Sequence, residues 1–105
     1  MYLQKKNIKK KYALVTGAGK GLGRACSIAL AEAGAIVIAL SRTQSDLNKL
    51  EKDIKKVKGK IIKITCDVMD YEDLKKKLEK IKIIDILVNN AGTNIPEPFE
   101  RVQQK

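Results

Sequence analysis

Aromatic side chains are scarce in this chain of 105 residues: three tyrosines, one phenylalanine and no tryptophan. Without a row of flat rings there is no platform on which nucleic-acid bases could stack. Arginine is confined to Arg24, Arg42 and Arg101, so the net charge of +10 rests almost wholly on lysine. The lysines are spread over an N-terminal stretch (Lys5, Lys6, Lys9, Lys10, Lys11), two expected helices and a turn. Dispersed lysines read as solvated faces, and charge alone leaves nucleic acid as the weaker alternative partner. Cysteine is limited to Cys26 and Cys66, far apart and in different expected elements. They have neither metal-ligand spacing nor the even pattern of a disulfide framework, so no metal site is expected, and reduced thiols point to the cytoplasm. Long apolar runs are missing too: the longest are strand-length, which excludes a membrane span and a secretory leader as readings of this sequence.

What is present fits one small α/β unit. Tyr12 to Thr16 (YALVT) is a short apolar run that ends in glycine punctuation, as a buried strand does. Gly17 to Gly23 is a glycine-rich turn. Leu22, Ala25, Cys26, Ala29, Leu30 and Ala33 then fall on one face of a helix that Gly34 stops. Ala35 to Leu40 (AIVIAL) has no polar residue and predicts a strand covered on both sides. Thr43 with Asp46 predicts the cap of a second helix, with Leu47, Leu50, Ile54 and Val57 inward and Gly59 closing it. Lys60 to Cys66 reads as a third strand, Asp70 as the cap of a third helix with Tyr71, Leu74, Leu78 and Ile81 inward, and Ile84 to Asn90 (IDILVNN) as a fourth strand. The alternation β-α-β-α-β-α-β predicts a parallel sheet. With right-handed crossovers it becomes the N-terminal half of a Rossmann-type, doubly wound sheet with strand order 3-2-1-4. The expected organisation is a basic tail over 1–11, a dinucleotide-binding half-domain over 12–95, and the start of a further segment over 96–105.

The glycine turn fails two phosphate-binding patterns. A P-loop needs Ser or Thr after Gly-Lys, and Gly21 follows Lys20; the GxGxxG fingerprint read from Gly17 meets Leu22 where it needs glycine. The pattern that fits is Thr-Gly-x-x-x-Gly-x-Gly, with Thr16, Gly17, Gly21 and Gly23. Gly17 is expected to turn the chain at positive φ, Gly21 to let a pyrophosphate approach the backbone, and Gly23 to let the first helix pack closely. The helix start would offer free N–H groups and about half a positive charge to phosphate.

That turn, together with Asn89-Asn90-Ala91-Gly92 at the end of the fourth strand, resembles the short-chain dehydrogenase/reductase family. The run Asp85 to Gly92 (DILVNNAG) is near that family's consensus, and the likeness covers about residues 8 to 100. Thr16 to Ala25 (TGAGKGLGRA) and Ala39 to Thr43 (ALSRT) are similar to its tetrameric carbonyl reductase and xylulose reductase branch. The resemblance implies that Asp67, beside Val68, reads the adenine amino group. It also implies that Asn90, Ala91 and Gly92 line the cofactor ribose, while Asn89 mainly ties strands together. Leu22 in the turn and Thr43 beside Arg42 complete the expected cofactor set.

NAD sites usually place an acidic residue at the end of the second strand to bond the ribose 2′-OH. Ser41 stands there, followed by Arg42, which can grip a phosphate in a bidentate contact. Lys20 in the turn is a second cation for the same region, and the resemblance implies that basic residues at both positions go with NADP(H). It further implies an active site of Ser and Tyr-x-x-x-Lys placed after the NNAG motif, and no tyrosine follows Asn90. Tyr2 to Lys6 and Tyr71 to Lys75 match the spacing, as chance allows in so lysine-rich a chain, and both are rejected. No catalytic residue is therefore assigned. The expectation is the cofactor-binding part of an NADP-dependent oxidoreductase acting on an alcohol or carbonyl substrate, homo-oligomeric (dimer or tetramer) as a full-length parent. A nucleotide-binding module without catalysis is the alternative.

Overall fold

The structure is a computed structural model and describes residues 8–91. Four strands, β1 (Tyr12–Thr16), β2 (Ile36–Ser41), β3 (Lys60–Thr65) and β4 (Ile86–Asn89), form one parallel sheet in the order β3-β2-β1-β4. Helices α1 (Gly21–Glu32), α2 (Gln44–Lys56) and α3 (Tyr71–Leu78) connect them. The expected half of a doubly wound sheet is what the chain forms.

The apolar runs of β1 and β2 are continuous because both of their faces are covered. On one face Ala13, Val15, Val37 and Ala39 meet Leu30 and Ala31 of α1 and Leu47, Leu50 and Ile54 of α2. On the other, Leu14, Ile38 and Leu40 meet Leu74 and Leu78 of α3. Burying each such leucine or isoleucine is worth about 1.5–3 kcal/mol, and these layers fix where the strand ends lie. Arg24 and Asp53 form an ion pair between α1 and α2. Edge strand β3 is tied to α2 by Lys63, whose Nζ lies 3.0 Å from Glu51 Oε1. The same lysine is the main reason that the Glu51 carboxyl sits below the usual carboxylate range. Residues before β1 also hold to the core: Ile8 packs against the α1–α2 side, and Lys10 N donates to Gly34 O at 2.8 Å.

Several local expectations change. The inner face of α1 is Gly23, Cys26, Ser27, Leu30 and Ala31, while Leu22 is 70% exposed. Ser27 is fully buried because its hydroxyl donates to Gly23 O at 2.8 Å, which satisfies the only polar group it brings inside. Tyr71 is 49% exposed, not inward: it opens α3, and the helix meets the sheet only from Leu74 on. Ile81 lies beyond the end of α3 but still packs on that core. Asp70 caps α3 as expected, accepting from Asp73 N at 3.2 Å. Thr43 holds the cap position of α2 without a side-chain bond; Ser41 Oγ instead accepts from Thr43 N at 3.2 Å. At the far end of α2 the left-handed residue is Lys58 (φ +59°), and Gly59 serves a different need. A Cβ there would stand 2.7 Å from Ala31 Cβ. β4 is shorter than expected and half-buried, since among the described residues its one strand neighbour is β1.

Candidate functional site

The carboxyl ends of all four strands face one region, and the glycine turn crosses it. Gly17 turns the chain off β1 at φ +62°. Ala18, buried, then donates its N–H to Leu40 O at 2.9 Å, which fastens the turn to the end of β2. Gly21 opens α1 at φ +54°, and a Cβ on it would meet nothing within 4 Å: the space over this residue is open. A Cβ on Gly23 would run into the Gly17 carbonyl oxygen and stand 2.8 Å from Asn90 Nδ2. Its close approach is thus to the turn itself and to Asn90, just past β4. The α1 N-terminus has no side-chain cap and no acidic residue in its first turn. Its unpaired N–H groups and positive dipole end remain available to an anion.

Beside the turn, three side chains join β1 to β4. Thr16 and Asn89 are register partners, and Thr16 Oγ1 donates to Asn89 Oδ1 at 3.0 Å. The same hydroxyl accepts from Ala91 N at 3.1 Å. Asn90 Nδ2 donates to Gly17 O at 3.3 Å. Thr16, Asn89 and Asn90 therefore set where the glycine turn sits relative to the end of β4.

A cleft of about 320 Å³ opens from the turn toward β2 and β3. Gly17, Gly19, Lys20, Ser41, Arg42, Thr43, Asp67, Val68 and Ala91 line it, as do Leu40, Asp46, Cys66 and Met69. Its volume is at the low end of small-molecule sites, about 300 Å³ upward. Lys20 and Asp46, both in its lining, form an ion pair, Nζ to Oδ2 3.8 Å. On the opposite wall Asp67 Oδ1 accepts from Met69 N at 2.9 Å, which shapes the loop after β3. The Cys66 thiol is raised to about 11 by burial first and by the Asp73 carboxylate second, so it stays neutral and is no nucleophile. A larger cavity of about 670 Å³ lies against α3, floored by Ile38, Ile62 and Ile64, and shares none of the predicted site residues.

Of the predicted site residues, then, Gly17, Lys20, Ser41, Arg42, Thr43, Asp67, Val68 and Ala91 share one cleft. Thr16, Gly23 and Asn90 stand behind it as struts, Gly21 lies at its open helix end, Leu22 points away into solvent, and Gly92 lies outside the described residues. Sequence reading passed over Gly19, where a Cβ would come within 2.8 Å of both Asp46 Cβ and Ser41 Oγ. It also took Asp46 for a cap. The signal for Gly19 was the second of the four glycines in TGAGKGLG, the one that the Thr-Gly-x-x-x-Gly-x-Gly pattern leaves unassigned. The open Gly21, the bare helix end and the two cations fit the phosphates of a dinucleotide. Among the described residues no group of three or more His, Cys, Asp or Glu could hold a metal ion, and no helix is long and apolar enough to cross a membrane.

Residues 11–105 match the family model of short chain dehydrogenase. The chain is 42% identical over 93 residues to L-xylulose reductase of Mesocricetus auratus, in a match covering 89% of this chain and 36% of that protein. It thus spans about a third of the length of that relative. It is 37% identical over 102 residues to the short-chain dehydrogenase/reductase homolog YusS of Bacillus subtilis (strain 168), covering 92% of this chain and 94% of that one. Two solved structures share the fold: a metagenomic short-chain oxidoreductase in complex with NADP (TM-score 0.73, 30% identity, 82% of this chain and 41% of that) and carveol dehydrogenase from Mycobacterium avium in complex with NAD (TM-score 0.68, 28% identity, 85% and 38%). The likeness to L-xylulose reductase agrees with the branch that the TGAGKGLGRA and ALSRT segments resemble. With its matching fold, turn and strand-end asparagines, this chain belongs to the short-chain dehydrogenase family.

Proposed function

We propose that this chain forms the NADP(H)-binding part of an oxidoreductase that moves a hydride between the cofactor and an alcohol or carbonyl substrate. The observation that carries the reading is the end of β2. Ser41 and Arg42 line the cleft there, with Lys20 across it, where an NAD site would carry a carboxylate for the 2′-OH. Arg42 and Lys20 would hold the 2′-phosphate, with Ser41 and Thr43 beside it. The α1 N-terminus at Gly21 and Leu22 would hold the pyrophosphate. Asp67 and Val68 would face the adenine, and Asn90, Ala91 and Gly92 the nicotinamide-side ribose. A bound nicotinamide supplies the hydride; the residues of this chain bind and orient it. The small-molecule substrate, the cytoplasmic location and the dimer or tetramer of a longer parent belong to the same proposal.

A second reading, a nucleotide-binding protein without turnover of its own, is favoured by one finding: the match to the YusS homolog covers 94% of that relative. Both readings share the site. The test is titration calorimetry of the chain with 2′,5′-ADP and with ADP at one ionic strength. Tighter binding of 2′,5′-ADP is expected; equal binding, or tighter ADP, rejects the NADP(H) assignment.

A further inference from the structure

Asp46 lies inside the cleft that the cofactor reading gives to the 2′-phosphate. It sits in the first turn of α2. Its side chain is only 15% exposed, whereas that of its partner Lys20 is 83% exposed. The glycine turn rests directly on it: Gly19 is so close that a Cβ would come within 2.8 Å of Asp46 Cβ, and within the same distance of Ser41 Oγ. Asp46 is therefore held next to Ser41, in the neighbourhood where the family reading needs positive charge. Lys20, the cation on the turn, lies 3.8 Å from this carboxylate.

We infer that Asp46 is a specificity-determining residue that limits the preference of the site for a 2′-phosphorylated nucleotide by competing with the phosphate for Lys20. The inference rests on the NADP(H) reading of the cleft. Two effects act in the same direction. Lys20 must leave a carboxylate to meet a phosphate, and the carboxylate then repels that phosphate across a narrow cleft. Charges a few ångströms apart near a protein surface interact strongly enough to matter, and the effect weakens with salt. Lys20 has the freedom for such an exchange because its own side chain is almost fully solvated; Asp46, packed under Gly19, does not.

The experiment is calorimetric titration of the 105-residue chain with 2′,5′-ADP and with ADP at low ionic strength, in wild type, Asp46→Asn, Lys20→Met and the double variant. In Asp46→Asn the Kd for 2′,5′-ADP is expected to fall about three- to tenfold, with the Kd for ADP unchanged within about twofold. In the Lys20→Met background the same change is expected to lose at least half of its effect. The inference is overturned if Asp46→Asn moves neither ligand, moves both equally or weakens ADP alone, or if its effect persists in full without Lys20. Should Asn disturb the fold by circular dichroism, Asp46→Ser gives the same reading with a residue suited to a first helical turn. A wild type that prefers ADP, but whose ratio still shifts in Asp46→Asn, sinks the NADP(H) reading and leaves this one standing. The converse result does the opposite, and binding of neither ligand removes both.

Discussion

Asp85 and Tyr12 hold each other by two hydrogen bonds: Asp85 N donates to Tyr12 O at 2.8 Å, and Tyr12 N donates to Asp85 Oδ2 at 2.8 Å. This clamp stands just before β4, at the amino end of β1. Thr16 and Asn89 make the matching tie at the carboxyl end. Fixed at both ends, β4 holds its four-residue register against β1 although it has only that neighbour among the described residues.

Removing the carboxylate is expected to loosen β4 as a whole. Asp85→Ala leaves Tyr12 N without its acceptor, and a bond to a charged acceptor is worth about 1.5–3 kcal/mol. Urea unfolding should show a loss of that size, with a smaller loss for Asp85→Asn, whose amide oxygen can still accept. Hydrogen exchange should quicken at Ile86 to Asn89 before it quickens in β2. Equal protection of β4 in Asp85→Ala and wild type would show that the clamp does not hold the strand.

Much of this arrangement was legible in the residues. Apolar runs of strand length, each followed by glycine or a capping residue, place the elements, and the right-handed crossover rule with the Rossmann pattern adds the strand order. Two of the misplaced residues share one cause. Leu22 and Tyr71 are apolar residues at helical spacing, yet both stand exposed in the first turns of α1 and α3. In this fold a helix begins at the carboxyl edge of the sheet, above the strands, so its first turn has no sheet to cover. Periodicity counts those positions as core; the topology does not. Gly19 and Asp46 were missed for a different reason. Their importance comes from contact between the turn after β1 and the helix after β2, which no local pattern encodes.

The two glycines at the start of α1 should respond differently to alanine. In Gly23→Ala the new methyl meets the Gly17 carbonyl and Asn90, both pinned, so the turn must move. A loss above about 3 kcal/mol, or failure to fold, is expected, as for other overpacked and strained sites. Gly21→Ala has free space but a positive φ, which costs about 1–2 kcal/mol. The folded Gly21→Ala chain should still lose nucleotide affinity, because the methyl stands over the open approach to the helix end. Retained affinity in Gly21→Ala would place the phosphates elsewhere.

Cys66 makes stability sensitive to alkali. Burial and Asp73 raise its folded pKa to about 11 from an ordinary value of 9. The unfolded thiol therefore ionises first as pH rises. Its contribution is fully present below pH 9 and is lost as pH climbs toward 11. Denaturation midpoints should fall across that window more steeply in wild type than in Cys66→Ala, with Cys26→Ala as control. Iodoacetamide at pH 8 should leave native Cys66 unmodified. Identical pH slopes in wild type and Cys66→Ala would refute the shift.

The 105-residue chain is expected to bind a dinucleotide without turning over a carbonyl substrate. Reduction places negative charge on the carbonyl oxygen as the hydride arrives, and that charge needs a positioned proton donor. Three tyrosines are available. Tyr12 begins β1, so it stands at the amino edge of the sheet, a strand length (about 13 Å at 3.3 Å per residue) from the edge where the cleft opens. Tyr71 begins α3, is half-exposed, and is absent from the residues that line the cleft, where the β3 side ends with Met69. Tyr2 lies outside the described residues and precedes the glycine turn. Cys66 does line the cleft, but it is buried, and a neutral thiol is a weak hydrogen-bond donor to a developing alkoxide. The check is NADPH oxidation against a panel of ketones, aldehydes and sugars, in wild type and Tyr71→Phe. No turnover above buffer is expected in either. Turnover lost in Tyr71→Phe would make that tyrosine the donor despite its place on α3. Turnover that survives the change would mean that another group of this chain supplies the proton.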